Sequence, residues 1–424
     1  MKIKDKIAKL SEANRLKRTA KKRLRGPTDL NFAIADRIGL LNESAWDSIT
    51  APSGFFLSRA YLAMLETVSP SNLTLRYALV STDEGATPIA AIVMQVAEIS
   101  PKEVRPLKAA SASKREKLLA PLKQKINALA TQRVLVCGNL LTYGQHGVAV
   151  AKGFEPEAIW HAVAEALYRV REAEKLTGDT HFVLIKDLHA PFTDAAKQLE
   201  ALSYRYVETE PNMVLTLDPT WKSHDDYLAS MASKYRSSVK NAVLKPMEEA
   251  GCTIEILDDV RAHEARLHTL YLSVQANADV RPFTLHAGYF SALKAAAGKN
   301  CRISIARKGA SILGFVLTLA DGETAIVYHI GFDREAAAGL PIYLRLLHAG
   351  IAESIAMGCK TISFGRTALE PKATLGAKPQ TFGVLMRHRQ GVLNKLIKNL
   401  LIGFEHDDAP ERSPFKTGKK ESVA

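Results

Sequence analysis

Nowhere in the chain is there the run of about 18 consecutive apolar residues that a membrane-spanning helix requires. The longer apolar runs, such as 89–94 (IAAIVM), have the length of strands. Cysteine is scarce. Cys137, Cys252, Cys301 and Cys359 form no CxxC pair, no histidine stands at zinc-ligand spacing from them, and none of the 12 histidines belongs to an HExxH. A disulfide framework is thereby excluded, no metal site is expected, and the apolar neighbours of the thiols predict burial in a reducing cytosol. The GxSxG elbow, the Walker A loop and the GxGxxG fingerprint are all missing, so neither a serine hydrolase nor a classical nucleotide binder is indicated. Basic and aromatic residues do not interleave as they do in single-strand nucleic-acid binders.

Acidic residues are outnumbered, 44 against 57 Lys and Arg, for a net charge of +13, but the excess is local. Residues 1–25 hold eleven Lys or Arg against Asp5 and Glu12, which accounts for nine of the thirteen charges. The rest of the chain is close to neutral. The arm, taken as 1–27, lacks the apolar centre of a secretory signal. Its weak apolar stripe (Ile3, Ile7, Leu10, Leu16, Ala20, Leu24) with lysines between predicts either a frayed terminus or a helix that touches anionic lipid or RNA phosphate.

What is present is a pattern that occurs twice. In the first half, 75–80 and 89–96 read as a hairpin, 133–137 as a strand, 156–176 as a helix with apolar Ile159, Val163, Leu167 and Val170, and 181–185 as a strand. In the second half, 302–306 and 312–319 form the hairpin and 325–330 the strand. The helix spans 341–357 and stops at Gly358, and 361–364 is the closing strand. A helix between neighbouring strands is a crossover, so each half predicts a mixed sheet with one parallel pair. The expected organisation is a first α/β unit over 28–218 with a Lys- and Ala-rich helical insertion at 101–130, a second over 219–404 closed by an amphipathic helix near 392–401, and a disordered tail at 405–424.

The order hairpin, strand, helix, strand resembles the GNAT acyltransferase fold, and its duplication resembles the Fem-type branch, which includes FemAB-like peptidyltransferases of peptidoglycan bridge synthesis and BioF-like acyltransferase domains. Three strings carry the likeness: SKYRSSVKNAVLKPMEEAG (233–251), GLPIYLRLLHAGIAESIAMGCKTISFG (339–365) and GRTALEPKATLGAKP (365–379). GFFLSRAYLAMLE (54–66) and CGNLLTYGQHG (137–147) add to it in the first half. The resemblance implies two tandem GNAT-like domains and transfer of an acyl or aminoacyl group to an amine. Acyl-coenzyme A or aminoacyl-tRNA would be co-substrate, no cofactor would be tightly bound, and the acceptor would be a small molecule or cell-wall precursor. It implies a cytoplasmic protein, peripheral at the inner membrane face if the arm of residues 1–25 docks there. Coenzyme A-using members have a Gly-rich [RQ]xxGx[GA] loop that cradles pyrophosphate. Here Gly339 stands alone in DREAAAGLP, and no long helical hairpin of the kind found in tRNA-using members is legible within 221–400.

Such chemistry needs a docked donor, a group that polarises the carbonyl and a route for a proton. Arg366, Glu370 and Lys372 follow the strand 361–364 at its C-terminal end, where open α/β sheets bind ligands. Arg366 and Lys372 are expected to hold an anionic group, and Glu370 to accept the proton of the amine. On the strand 325–330, His329 is a candidate base and Tyr328 a candidate acid, and alternation predicts opposite faces for the two. Tyr343, in the first turn of the next helix, is a candidate substrate contact. Arg236 and Lys240, with Lys234, form a basic helix face suited to phosphates or simply to water, and Pro246 should end or kink that helix. Asn139, Gly144, His146 and Gly147 read as an ordinary turn-rich loop or an acceptor site, and Phe55, Phe56, Tyr61 and Leu65 as core. Two rival readings are a non-catalytic GNAT-like ligand-binding protein and an RNA-binding protein acting through its arm.

Overall fold

A computed structural model describes residues 21–82, 87–100, 131–154, 156–278, 281–401 and 410–416, with positions 12, 15, 16, 18 and 19 of the arm. The proposed insertion at 101–130 and most of the arm lie outside the described residues. In chain order the first unit holds β1 (Leu30–Ala35), α1 (Glu43–Thr50), α2 (Arg59–Val68), β2 (Leu73–Thr82), β3 (Thr87–Ile99), β4 (Gln132–Cys137), β5 (Val148–Val150), α3 (Pro156–Glu174), β6 (Phe182–Leu188), α4 (Phe192–Ala196) and β7 (Arg205–Thr216). There follow α5 (His224–Ser230), α6 (Ser233–Val239), α7 (Lys245–Glu249), β8 (Cys252–Ile256), α8 (Val260–Gln275), α9 (Tyr289–Ala297), β9 (Cys301–Lys308), β10 (Ser311–Asp321), β11 (Thr324–Phe332), α10 (Ile342–Ala356), β12 (Thr361–Ser363), α11 (Leu369–Thr374), β13 (Lys378–His388) and α12 (Gly391–Leu401).

The repeated order is present in both halves. β4 runs parallel to β6 and β11 parallel to β12, and the other pairings are antiparallel. Local chemistry sets the corners. Gly309 (φ 55°) and Gly322 (φ 60°) occupy the tight turns on either side of β10, and Gly358 (φ 71°) stops α10.

The strands join into one sheet of order β1-β2-β3-β4-β6-β13-β7-β12-β11-β10-β9-β8, with β5 on β3. The last described strand, β13, lies between β6 and β7 of the first half, and β7 in turn pairs with β12 of the second. A boundary at 218/219 therefore separates the halves in sequence but not in the sheet. Without β13, one backbone edge of each of β6 and β7 would lose its ladder.

Alternation divides side chains between the two faces. On β2, Leu75, Tyr77 and Leu79 enter one cluster, and Ala78 and Val80 another. The first face carries a single core across both halves: Trp46, Phe56 and Tyr61 meet Tyr289, Phe290 and Phe315, and α9 packs on α2. The second face carries two separate cores, one under α3 and one under α10. The stripe Phe55, Phe56, Tyr61 and Leu65 thus packs in or against the core shared by the two halves.

One expectation needs correction and another is narrowed. The tail is not uniformly without structure: Phe415 packs on Trp221 and Tyr227, Ala232 donates its amide to the Pro414 carbonyl (2.8 Å), and Lys416 donates to that of Ser230 (3.0 Å). An aromatic anchor supplies the burial that the polar composition around it lacks. Of the two outcomes expected at Pro246, an end or a kink, the helix does not end but becomes irregular just before the proline. A π-helical turn at Lys240–Leu244 absorbs the lost N–H, and the helix continues as α7.

Among the described residues no helix is long and apolar enough to cross a membrane.

Candidate functional site

β11 and β12 pair only from Thr324 to Ile326 on one strand and Thr361 to Ser363 on the other. Beyond that they part. Phe364 and Gly365 follow β7, exchanging amide bonds with Met213 (2.9 and 3.2 Å), while β11 runs on to Phe332 paired with β10 alone. Among the described residues, one edge of β11 is thus left without a neighbouring strand over residues 327–332.

At the far end of this edge lies a cleft of about 270 Å³ lined by Phe332, Arg334, Gly339, Leu340, Tyr343 and Leu344, among others. It sits at the N-terminus of α10. The first intrahelical bond is Arg345 N–H to the Pro341 carbonyl (3.0 Å), and among the described residues no side chain caps the end, so the amides of Ile342, Tyr343 and Leu344 have no acceptor within the helix. The preceding loop turns back on itself: Ala337 donates to Asp333 O, Ala338 to Glu335 O and Leu340 to Ala337 O. Asp333 is held by Arg266 at 3.0 Å. These loop amides are spent internally, so an anion here would meet the first-turn amides and the Arg334 guanidinium, which stands over the Phe332 ring.

Tyr343 is therefore placed on the cleft. The other expected residues are dispersed. Tyr328 and His329 do not face opposite ways, because Leu317 pairs with His329 and Thr318 with Val327, which leaves Tyr328 as the extra residue of a bulge. Their rings lie 4.1 Å apart on the shared core. His329 is enclosed by Tyr271, Tyr289 and Phe290, and its Nε2 has no hydrogen-bond partner among the described residues. Burial pushes its pKa down to about 3, so it does not titrate near neutrality as a base should. Tyr328 donates its hydroxyl to the Leu141 carbonyl at 2.8 Å and lies 3.0 Å from the Tyr289 hydroxyl. Burial raises its pKa well above the ordinary tyrosine range, which opposes an acid role.

Lys372 is also placed otherwise than expected. It is 3% exposed, and Nζ donates to the carbonyls of Gly365 (3.2 Å), Arg366 (2.7 Å) and Thr367 (2.8 Å). Those residues begin a loop with Gly365 (φ 72°), Thr367 (φ 65°) and Ala368 (φ 47°) all left-handed, a conformation whose carbonyls need an outside donor. Burial pushes the amine down to about 7, while three carbonyls matching its three N–H bonds favour the ammonium. The side chain fastens this loop and does not face an incoming anion.

Arg366 pairs with Asp187 at the end of β6, and its guanidinium lies 5.8 Å from the Tyr143 ring and 5.7 Å from that of Phe382. Glu370 points outward to Arg412 of the docked tail (2.8 Å), so it is not a base in the cleft. Arg236 donates to the Ala229 carbonyl, and Lys240 is exposed at the start of the π-turn.

Sequence reasoning singled out Asn139, Gly144, His146 and Gly147 but missed Leu141 and Tyr143 of the same loop, which bridge the parting strands. Residues 138–147 leave and rejoin the sheet at one point: Gly138 donates to Val93 O (3.0 Å), and Val93 donates to Gly147 O (2.8 Å). A Cβ on Gly147 would come within 2.8 Å of Gly138 N, so the base of the loop closes only with glycine. The signal was the glycine bracket in CGNLLTYGQHG. Its destination in the other half could not be read.

Residues 233–373 match the family model described as an acetyltransferase (GNAT) domain. Among solved structures, FemX superposes with a TM-score of 0.52 at 12% identity, covering 84% of this chain and 98% of that one. A tandem GNAT protein from the clavulanic acid biosynthesis pathway gives 0.48 at 12% identity, covering 85% and 98%. The C-terminal domain of a putative lysylphosphatidylglycerol synthetase from Agrobacterium fabrum gives 0.45 at 10%, covering 85% and 96%. No curated protein matches the sequence.

Proposed function

We propose that this chain, which carries a GNAT domain within a tandem, Fem-like fold, is an N-acyltransferase that takes an acyl-coenzyme A into its second unit and passes the acyl group to an amine. The observation that carries this reading is the cleft at the α10 N-terminus, which opens at the end of the unpaired edge of β11. The first-turn amides and Arg334 would hold a phosphate of the donor, and the extended arm behind it would add along residues 327–332 as a strand does.

The acceptor nitrogen then attacks the thioester carbonyl carbon. A C–N bond forms, the C–S bond breaks, and the coenzyme leaves as a thiolate that takes up the proton lost by nitrogen. Backbone N–H groups on the free edge near the bulge at Tyr328 would polarise the carbonyl oxygen. With His329 neutral and Glu370 engaged outside, the amine would arrive already deprotonated, so turnover should rise with pH through the pKa of the amine itself. The Fem-like arrangement suggests an amine-bearing cell-envelope precursor as acceptor, and a coenzyme A donor would suit a cytoplasmic enzyme.

The test is a thermal-shift and thiol-release assay with acetyl-coenzyme A and a panel of amines. Saturation at about 100 times Kd should stabilise the protein by about 2.7 kcal/mol. A shift with aminoacyl-tRNA alone would change the donor. The burial of Tyr328 and the aromatic enclosure of the His329 ring favour a second reading, non-catalytic ligand binding, and stabilisation by acyl-coenzyme A without thiol release from any amine would establish it.

A further inference from the structure

We infer that loop 138–147 of the first unit closes the inner end of the donor groove in the second, and that Tyr143 sets how long an acyl chain the groove accepts. The inference rests on the donor reading above and concerns which donor fits.

The loop is built as a rigid piece. Asn139, which is buried, takes the Leu141 amide (2.9 Å) and the Gln95 amide (3.3 Å) on Oδ1, and donates through Nδ2 to the Tyr61 hydroxyl (2.8 Å). Gln95 Oε1 accepts the Leu140 amide at 2.7 Å. The tip crosses to the other half and touches both parting strands. Leu141 presents its carbonyl to Tyr328 on β11. Tyr143 lays its ring on Gly365, just past β12, so closely that a Cβ there would come within 2.8 Å of Cε2.

Asp187 locks the contact. This carboxylate is 0% exposed, accepts the Gly144 amide at 3.0 Å and pairs with both Lys186 and Arg366. Lys186 also donates to the Thr142 carbonyl at 2.7 Å. Both ends of the tip, and the arginine beside Gly365, are therefore fastened to a single buried acid.

The tip therefore touches β11 at Tyr328 and the chain just past β12 at Gly365, immediately beyond the last paired residues Ile326 and Ser363, where the two strands part. A chain that enters beside Tyr343 at α10 and follows the free edge of β11 toward the point of divergence runs toward the loop tip that carries Tyr143. An acetyl group would stop short of the ring, whereas a long acyl chain would collide with it. A hydrophobic pocket discriminates chain length by the room at its end, and each extra methylene that does not fit weakens binding.

The experiment is calorimetric titration of the full chain with acetyl-, butyryl-, hexanoyl- and octanoyl-coenzyme A. Wild type should bind the octanoyl thioester about tenfold or more less tightly than acetyl. Tyr143→Ala should remove that difference while leaving acetyl affinity within about threefold, and Tyr143→Phe, which keeps the ring, should retain the wild-type profile. A Tyr143→Ala profile parallel to wild type would overturn the inference while leaving the donor reading intact, as would a Phe variant that behaves like Ala. Failure of wild type and both variants to bind any of the four thioesters would overturn the donor reading and the inference together.

Discussion

The two halves repeat the same order of elements, yet they treat the exit of the strand before the crossover helix in opposite ways. In the first half that strand is broken after Cys137 and sends residues 138–147 out of the sheet before β5 resumes against β3. In the second half β11 continues to Phe332 with a single extra residue at Tyr328, and its free edge leads to a cleft. One copy supplies a loop and the other receives it. The exchange of β13 works in the same direction: the second half donates a strand to the first. A duplicated module whose copies complete each other need not keep a working site in both, and here the groove, its rim and the loop that closes it are assembled once.

The hardest test of that complementarity is to separate the halves. Residues 28–218 expressed alone lack β13, and residues 219–404 alone lack β7. Neither should give dispersed amide spectra, and co-expression should restore a folded complex. A well-folded first half by itself would break the comparison. Next in size, Asp187→Ala should lower stability by about 3–5 kcal/mol in urea unfolding, because it leaves Lys186 and Arg366, both largely withdrawn from solvent, without their counter-charge.

Acid should distinguish the halves further. His329 and His348 have pKa values near 3 and His224 near 4, all lowered by burial, and all three belong to the second half. Their folded values lie below the unfolded value of about 6.5, so their contribution is present above pH ~6.5 and is lost as pH falls, toward about 4 for His224 and about 3 for His329 and His348, at up to about 1.4 kcal/mol per pH unit for each. In the first half His146 is lowered too, but Asp321 across the junction opposes the shift. His329→Phe should flatten the pH dependence of the melting temperature by roughly a third of this three-histidine slope.

Lys372→Met should cost about 1–3 kcal/mol by leaving the carbonyls of residues 365–367 without their donor, measurable as a shift in urea midpoint. Smallest of all, Tyr328→Phe should cost about 1 kcal/mol for the lost bond to Leu141 and change turnover less than about threefold. A fall of about a hundredfold with stability unchanged would return Tyr328 to an acid role.

Much of the fold was legible. The period-two runs at 75–80 and 312–319, the 3.6-residue spacing through α3 and α10, and the glycine stop at 358 each report the immediate surroundings of a residue. The candidate site was less so. Arg366, Lys372 and Glu370 were singled out for position and charge, but the arginine found its partner 179 residues away in Asp187 and the lysine turned back on its own loop. Tyr328 and His329 were assigned to opposite faces because an unbroken strand alternates, and one inserted residue reversed that.

The sequence alone determined the modules: two hairpins, two crossovers and the helices that cover them follow from periodicity and from glycines at corners, which are properties of short stretches of chain. Tertiary structure decided which charges are spent internally, which strand completes which half, and where a groove stays open. Those outcomes depend on burial and on partners distant in the chain, since an ionised or hydrogen-bonding group is free to meet a ligand only if folding has not already brought another part of the protein to it.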